Sequence, residues 1–142
     1  MLLSKEDISH LEMKIASAEQ LTSAEFKIIV AKHAWFGLRK KANRLFKKHN
    51  LHQTKERNAV LLLVIEKDKQ LLIYGDEGIH SKLEPGIWEL ILEEVISAFK
   101  QEEFTYGLGL GIHLIADHLV QHYPSSENMD KNEISNEIIF EN

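Results

Sequence analysis

Behind Ser4 and Asp7, the apolar residues Ile8, Leu11, Ile15 and Ala18 recur at helical spacing. A Ser-x-x-Asp start suits a helix, because the hydroxyl accepts an orphan amide and the acid favours the positive end of the dipole. The spacing predicts a helix from about Lys5 to Gln20 that buries this stripe. From Ala24 to His33 the pattern changes to partial alternation, with Phe26, Ile28 and Val30 on one face, which predicts a strand. Trp35, Leu38, Ala42, Leu45 and Phe46 then mark one side of a second helix ending near His49 and Asn50. Its other side carries Arg39, Lys40, Lys41, Arg44, Lys47 and Lys48.

Two apolar runs, 59–65 and 70–74, flank Lys67-Asp68-Lys69 and read as a β-hairpin. The first run is apolar throughout, so its strand is expected to be buried on both faces, with helices covering the sheet from two sides. Pro85 suits a first helical turn, and Trp88, Ile91, Leu92, Val95 and Phe99 follow at helical spacing. A fourth helix, from about Thr105 to Gln121, contains Gly107 and Gly111 one turn apart, a pattern that permits close approach to a neighbouring backbone. Residues 125–142 are polar and acidic apart from Ile138, Ile139 and Phe140, and read as a mobile tail whose end could dock. The elements together predict an α/β protein, a three-layer α/β/α sandwich with a small mixed sheet and about four helices. One further short strand could lie in a connection.

A length of 142 residues with 44% hydrophobic content fits one domain with one sizeable core. The expected division is a domain over 1–124 followed by the tail. Cysteine is absent, which excludes disulfides, thiolate metal sites and cysteine nucleophiles, so a metal would be held by oxygen or imidazole. The charged start of MLLSKEDISH does not read as an export signal, and the longest apolar run has seven residues, against roughly 20 for a membrane-spanning helix. The expected location is the cytoplasm, without a membrane span. Residues 32–57 carry nine Lys/Arg against the single acid Glu56, a local +8 within a total of −5 that leaves −13 on the rest. The chain is strongly dipolar.

The junctions carry a more specific pattern. Ala18-Glu19-Gln20-Leu21-Thr22-Ser23-Ala24-Glu25 leads into the first strand, and Arg57-Asn58-Ala59-Val60-Leu61 opens the second. Gly75-Asp76-Glu77-Gly78-Ile79 closes the hairpin, Trp88 stands in the next helix, and Phe104, Gly107, Tyr123 and Pro124 complete the series. Over about residues 5–124 this ordered set resembles the TPM domain family. The resemblance implies a mixed sheet between helices and calcium binding, as described for several members. It also implies acid phosphatase activity as an alternative, since one thylakoid-lumen member is described as such an enzyme. Many members begin with a Val-x-Asp segment and carry an export signal and an anchor, whereas this chain starts Met1-Leu2-Leu3.

Under that resemblance Glu19, Glu25, Asp76 and Glu77 form the candidate metal group, drawn from a helix end, a strand start and the loop closing the hairpin. Ca²⁺, or less favourably Mg²⁺, takes several carboxylate and carbonyl oxygens of the kind such loops supply. The plainer reading has Asp76 turning or capping the chain and Glu19 and Glu25 solvated. Arg57 could grip a phosphate in a metal-assisted phosphatase, or simply pair with an acid. The basic helix could attract an acidic partner or a second copy, or be a solvated face; no nucleic-acid motif accompanies it. His118 and His122 lie one turn apart but lack a defined third ligand, and Gly107-x-Gly109-x-Gly111 lacks the spacing of a nucleotide cradle. Three functions follow as expectations: a divalent-cation module, a metal-assisted phosphomonoesterase, and a metal-independent protein-interaction module, as monomer or weak self-associate.

Overall fold

The computed structural model describes residues 2–125 and 134–141. Five helices are present among them: α1 (Lys5–Leu21), α2 (Leu38–Lys48), α3 (Glu77–Lys82), α4 (Pro85–Lys100) and α5 (Phe104–Leu119). The strands are β1 (Glu25–Ala31), β2 (Ala59–Ile65), β3 (Gln70–Gly75) and β4 (Ile139–Glu141). Four of the helices answer to the spacing in the sequence. The fifth, α3, occupies the stretch read as a hairpin-closing loop, because Asp76 caps it: the Asp76 carboxylate accepts the Glu77 amide at 2.8 Å. Six residues are too few for an apolar stripe to announce a helix.

The helix starts follow ordinary capping chemistry. The Ser4 hydroxyl accepts the Asp7 amide at 3.1 Å, and the Asp7 carboxylate accepts the Ser4 amide at 2.9 Å, closing a reciprocal box. Pro85 opens α4. In α5, a Cβ added at Gly107 would stand 3.2 Å from the Ala98 methyl, and one at Gly111 would stand 3.2 Å from a Val95 methyl. The two glycines thus let α5 lie close against α4.

The sheet has the order β3-β2-β1-β4. β1 pairs in parallel with both β2 and β4, and β2 pairs antiparallel with β3, from Val60 opposite Gly75 to Ile65 opposite Gln70. The two central strands are buried at every position. Phe26, Ile28, Val30, Val60, Leu62 and Val64 face the layer formed by α1, α4 and α5, where Leu11, Ile15, Val95, Ile112 and Ile115 complete the larger core. Ile29, Ala31, Leu61, Leu63 and Ile65 face the other way, toward Ala42, Leu45 and Phe46 of α2. Strand residues of even and odd number thereby serve two cores, which makes the chain a three-layer α/β/α fold.

β4 comes from the segment read as a tail. Residues 126–133 of that segment lie outside the described residues, but 134–141 join the fold, with Ile134 and Ile138 buried. The docking is largely polar. The Lys27 ammonium, buried on β1, donates to the Ser135 carbonyl at 3.0 Å, to the Ser135 hydroxyl at 3.3 Å and to the Glu137 carbonyl. Burial pushes the Lys27 pKa down, opposed by the charges of Glu137, Glu12 and Glu19. The Glu12 carboxylate accepts the Ile138 amide at 3.0 Å. At the end of the strand Glu141 meets Lys48 and His49, each at 2.9 Å, and these bonds hold its carboxyl below the usual range.

Candidate functional site

Three chain segments meet where β1 and β2 begin and β3 ends: the link after α1, the loop before β2, and the first turn of α3. Their junction is tightly knotted. Arg57 adopts a left-handed backbone (φ 52°), which aims its carbonyl at α3, where it accepts the Gly78 amide at 2.9 Å. A Cβ at Gly78 would stand 2.5 Å from both the Glu56 and Arg57 carbonyl oxygens, so only glycine fits there. The Tyr123 hydroxyl donates to the Gly78 carbonyl at 2.8 Å, while Thr22 and Ser23 bond the Tyr123 carbonyl. Asn58 donates to the Ser23 carbonyl at 3.3 Å, and the Ser23 hydroxyl donates to Glu56 at 3.3 Å.

Within this corner the Arg57 guanidinium forks onto the Asp76 carboxylate, with Nε at 2.7 Å and Nη2 at 2.8 Å. Its third nitrogen lies 3.3 Å from Glu77. The Asp76 side chain is nearly buried, at 6% exposure, whereas Arg57 and Glu77 reach solvent. The bonds it donates to Asp76 raise the Arg57 pKa. Asp76 and Glu77, adjacent in the chain, therefore both meet the Arg57 guanidinium.

Glu19 and Glu25 are directed elsewhere. The Glu19 carboxylate accepts the Phe26 amide at 3.2 Å. Glu25 is buried and accepts the Ile134 amide at 2.7 Å, so it ties down the C-terminal segment. Neither is the solvated acid of the plainer reading, for both are bound to main-chain amides. Among the described residues, no group of three or more His, Asp or Glu side chains is gathered closely enough to hold a metal. Lys27 and Tyr123 are the two residues of this region whose contacts the sequence does not announce. The signal for Lys27 is a charge within a strand whose other interior positions are apolar; Tyr123 carries none beyond its place in the junction pattern.

The family model described as TPM domain matches residues 1–118. The chain belongs to the TPM domain family. Among solved structures, this TPM domain is similar to the BA42 protein of the psychrophilic bacterium Bizionia argentinensis, with a TM-score of 0.91 at 29% identity over 97% of this chain and 94% of that one. It also shares its fold with the N-terminal domain of a P. gingivalis protein, with a TM-score of 0.70 at 17% identity over 86% of this chain and 79% of that one. A third likeness is the N-terminal domain of cg2496 from Corynebacterium glutamicum, with a TM-score of 0.62 at 13% identity over 88% and 76%. No curated protein matches the chain. No helix among the described residues is long and apolar enough to cross a membrane.

Proposed function

We propose that this TPM domain is a divalent-cation-responsive module in which Ca²⁺, or more weakly Mg²⁺, exchanges with the Arg57 guanidinium at Asp76 and Glu77. The observation that carries the reading is that these two adjacent carboxylates already hold a cation, the chain's own, at 2.7–3.3 Å. The corner is rich in oxygen. The Glu56 and Arg57 carbonyls face the first turn of α3. Ca²⁺ accepts six to eight oxygens in flexible geometry, and water would complete a shell of few protein ligands. Such a site belongs to the weak class, with Kd on the order of 10⁻⁴–10⁻³ M.

The exchange needs no rearrangement of the core. Arg57 is 42% exposed, so its side chain can swing into solvent when an ion takes its place. A displaced guanidinium would then present its fork to a phosphate, which is how the metal-assisted phosphomonoesterase reading enters. That reading requires turnover with the ion present and none once Asp76 is changed.

The test is a titration of chelator-stripped protein with Ca²⁺ and Mg²⁺, followed through backbone amides and the Arg57 Nε–H resonance. Saturable movement of Arg57 Nε–H and of residues 75–79, lost in Asp76→Asn, is the expected result. A resonance that stays fixed at millimolar ion would overturn the exchange.

A further inference from the structure

The surface of α2 is one-signed. Arg39, Lys40, Arg44 and Lys47 are exposed along its outer side, the helix contains no acid, and among the described residues no carboxylate pairs with any of the four. Immediately before the helix stand Trp35 and Phe36, exposed at 76% and 87%. Trp35 is stacked on His33 at 3.9 Å between ring centroids, so the indole is presented rather than collapsed onto the core.

On the opposite side of the sheet α4 shows the complementary chemistry. Glu89, Glu93 and Glu94 line its outer side, with the apolar Leu90 and Ile96 exposed among them at 64% and 40%. α2 packs on the face of Ile29, Leu61 and Leu63, and α4 on the face of Leu62, Val64 and Ile73. The two surfaces of one molecule therefore point apart. They can meet only between molecules.

We propose that the basic outer face of α2, with Trp35 and Phe36, docks on the acidic outer face of α4 of a second copy of this chain. Lys40 and Arg44 are one turn apart, as are Glu89 and Glu93, so helix laid on helix matches two ion pairs at a spacing of about 6 Å. The charges orient the approach, and burial of Trp35 and Phe36 against Leu90 and Ile96 supplies the apolar contact. Because the two faces differ, the contact is head-to-tail, and it propagates as an open chain instead of closing into a two-fold dimer. Charges of this kind are screened beyond about 10 Å at 0.1 M salt, so assembly weakens as salt rises.

Sedimentation velocity of the full chain tests this over increasing concentration, at low and high salt, with chelator present so that the cation corner takes no part. The expected result is a sedimentation coefficient that rises with concentration at low salt and returns to the monomer value at high salt. R44E/K47E and E89K/E93K each stay monomeric alone, and their equimolar mixture associates again. A wild-type chain that stays monomeric at every concentration overturns the proposal. So do variants that associate like wild type, or a mixture of folded variants that fails to associate. The wild-type salt series stands whether or not the variants fold.

Discussion

At the scale of single residues, Asp76 does two jobs with one carboxylate: it caps α3 and it receives the Arg57 fork. Removing either partner has different consequences. Asp76→Ala loses a helix cap, costing about 1 kcal/mol, and leaves Arg57 free to find water. Arg57→Ala instead strands a nearly buried carboxylate with one amide donor, a loss of about 1–3 kcal/mol measurable by urea unfolding. The same change removes the ion's competitor, so Arg57→Ala is expected to bind Ca²⁺ more tightly than wild type by calorimetry. Equal or weaker binding would contradict the exchange. Gly78→Ala forces a methyl against two main-chain carbonyls and is expected to cost about 1–3 kcal/mol in the same unfolding assay.

Residue chemistry was only half legible in the chain. Gly75-Asp76-Glu77-Gly78 announces a change of chain direction beside two carboxylates, but not that Arg57 would bind both. The fate of Glu25 was not readable, because its donor, the Ile134 amide, lies 109 positions away in a segment with no pattern of its own. A glutamate at a strand start looks the same whether it meets a metal, water or a distant backbone. The two-sided charge of the surface was legible from composition, since nine cations fall within residues 32–57.

At the scale of elements, β4 shows where periodicity fails. Three residues give no alternation, and the polar stretch leading to them resembles a solvated tail. Its attachment relies on Lys27 and Glu25, both buried on β1. A chain ending at Ser125 would open the β1 edge to water, losing the bonds described above, at about 0.5–1.5 kcal/mol for each, together with the burial of Ile134 and Ile138. The expected outcome is a large fall in the urea midpoint, far beyond what loss of a three-residue strand would cause. Glu141 adds a pH dependence. Its carboxyl is held below its ordinary value of 4.5 by Lys48 and His49, so the folded state favours its charged form. The resulting stabilisation is fully present above 4.5 and is lost as pH falls through the lowered folded value. Amides of 139–141 should lose hydrogen-exchange protection in that acid window, and Glu141→Gln should remove the dependence.

At the scale of the whole molecule, the long elements carry the fold. α1, α4, α5 and the run 59–65 each span enough residues for their period to be read directly, which is why the three layers follow from the sequence while α3 and β4 do not. The same hierarchy predicts the order of opening. β1 and β2 are buried along their full length and share a parallel register of seven residues, so their amides should exchange slowest. Those of β4 should exchange at lower free energy, a contrast that native-state exchange would measure residue by residue.

The pairing of β1 with β4 also has a meaning in time. Lys27 meets Ser135 across 108 positions, so during synthesis β1 leaves the ribosome long before the strand that covers it. At translation rates of 5–20 residues per second, that interval is roughly 5–20 s. For that period the nascent sheet presents an open edge bearing a carboxylate and an ammonium in search of backbone partners, the kind of edge that recruits foreign strands. A prematurely terminated chain would keep that edge open permanently, which marks incomplete products for capture by chaperones or for aggregation while finished molecules hide it.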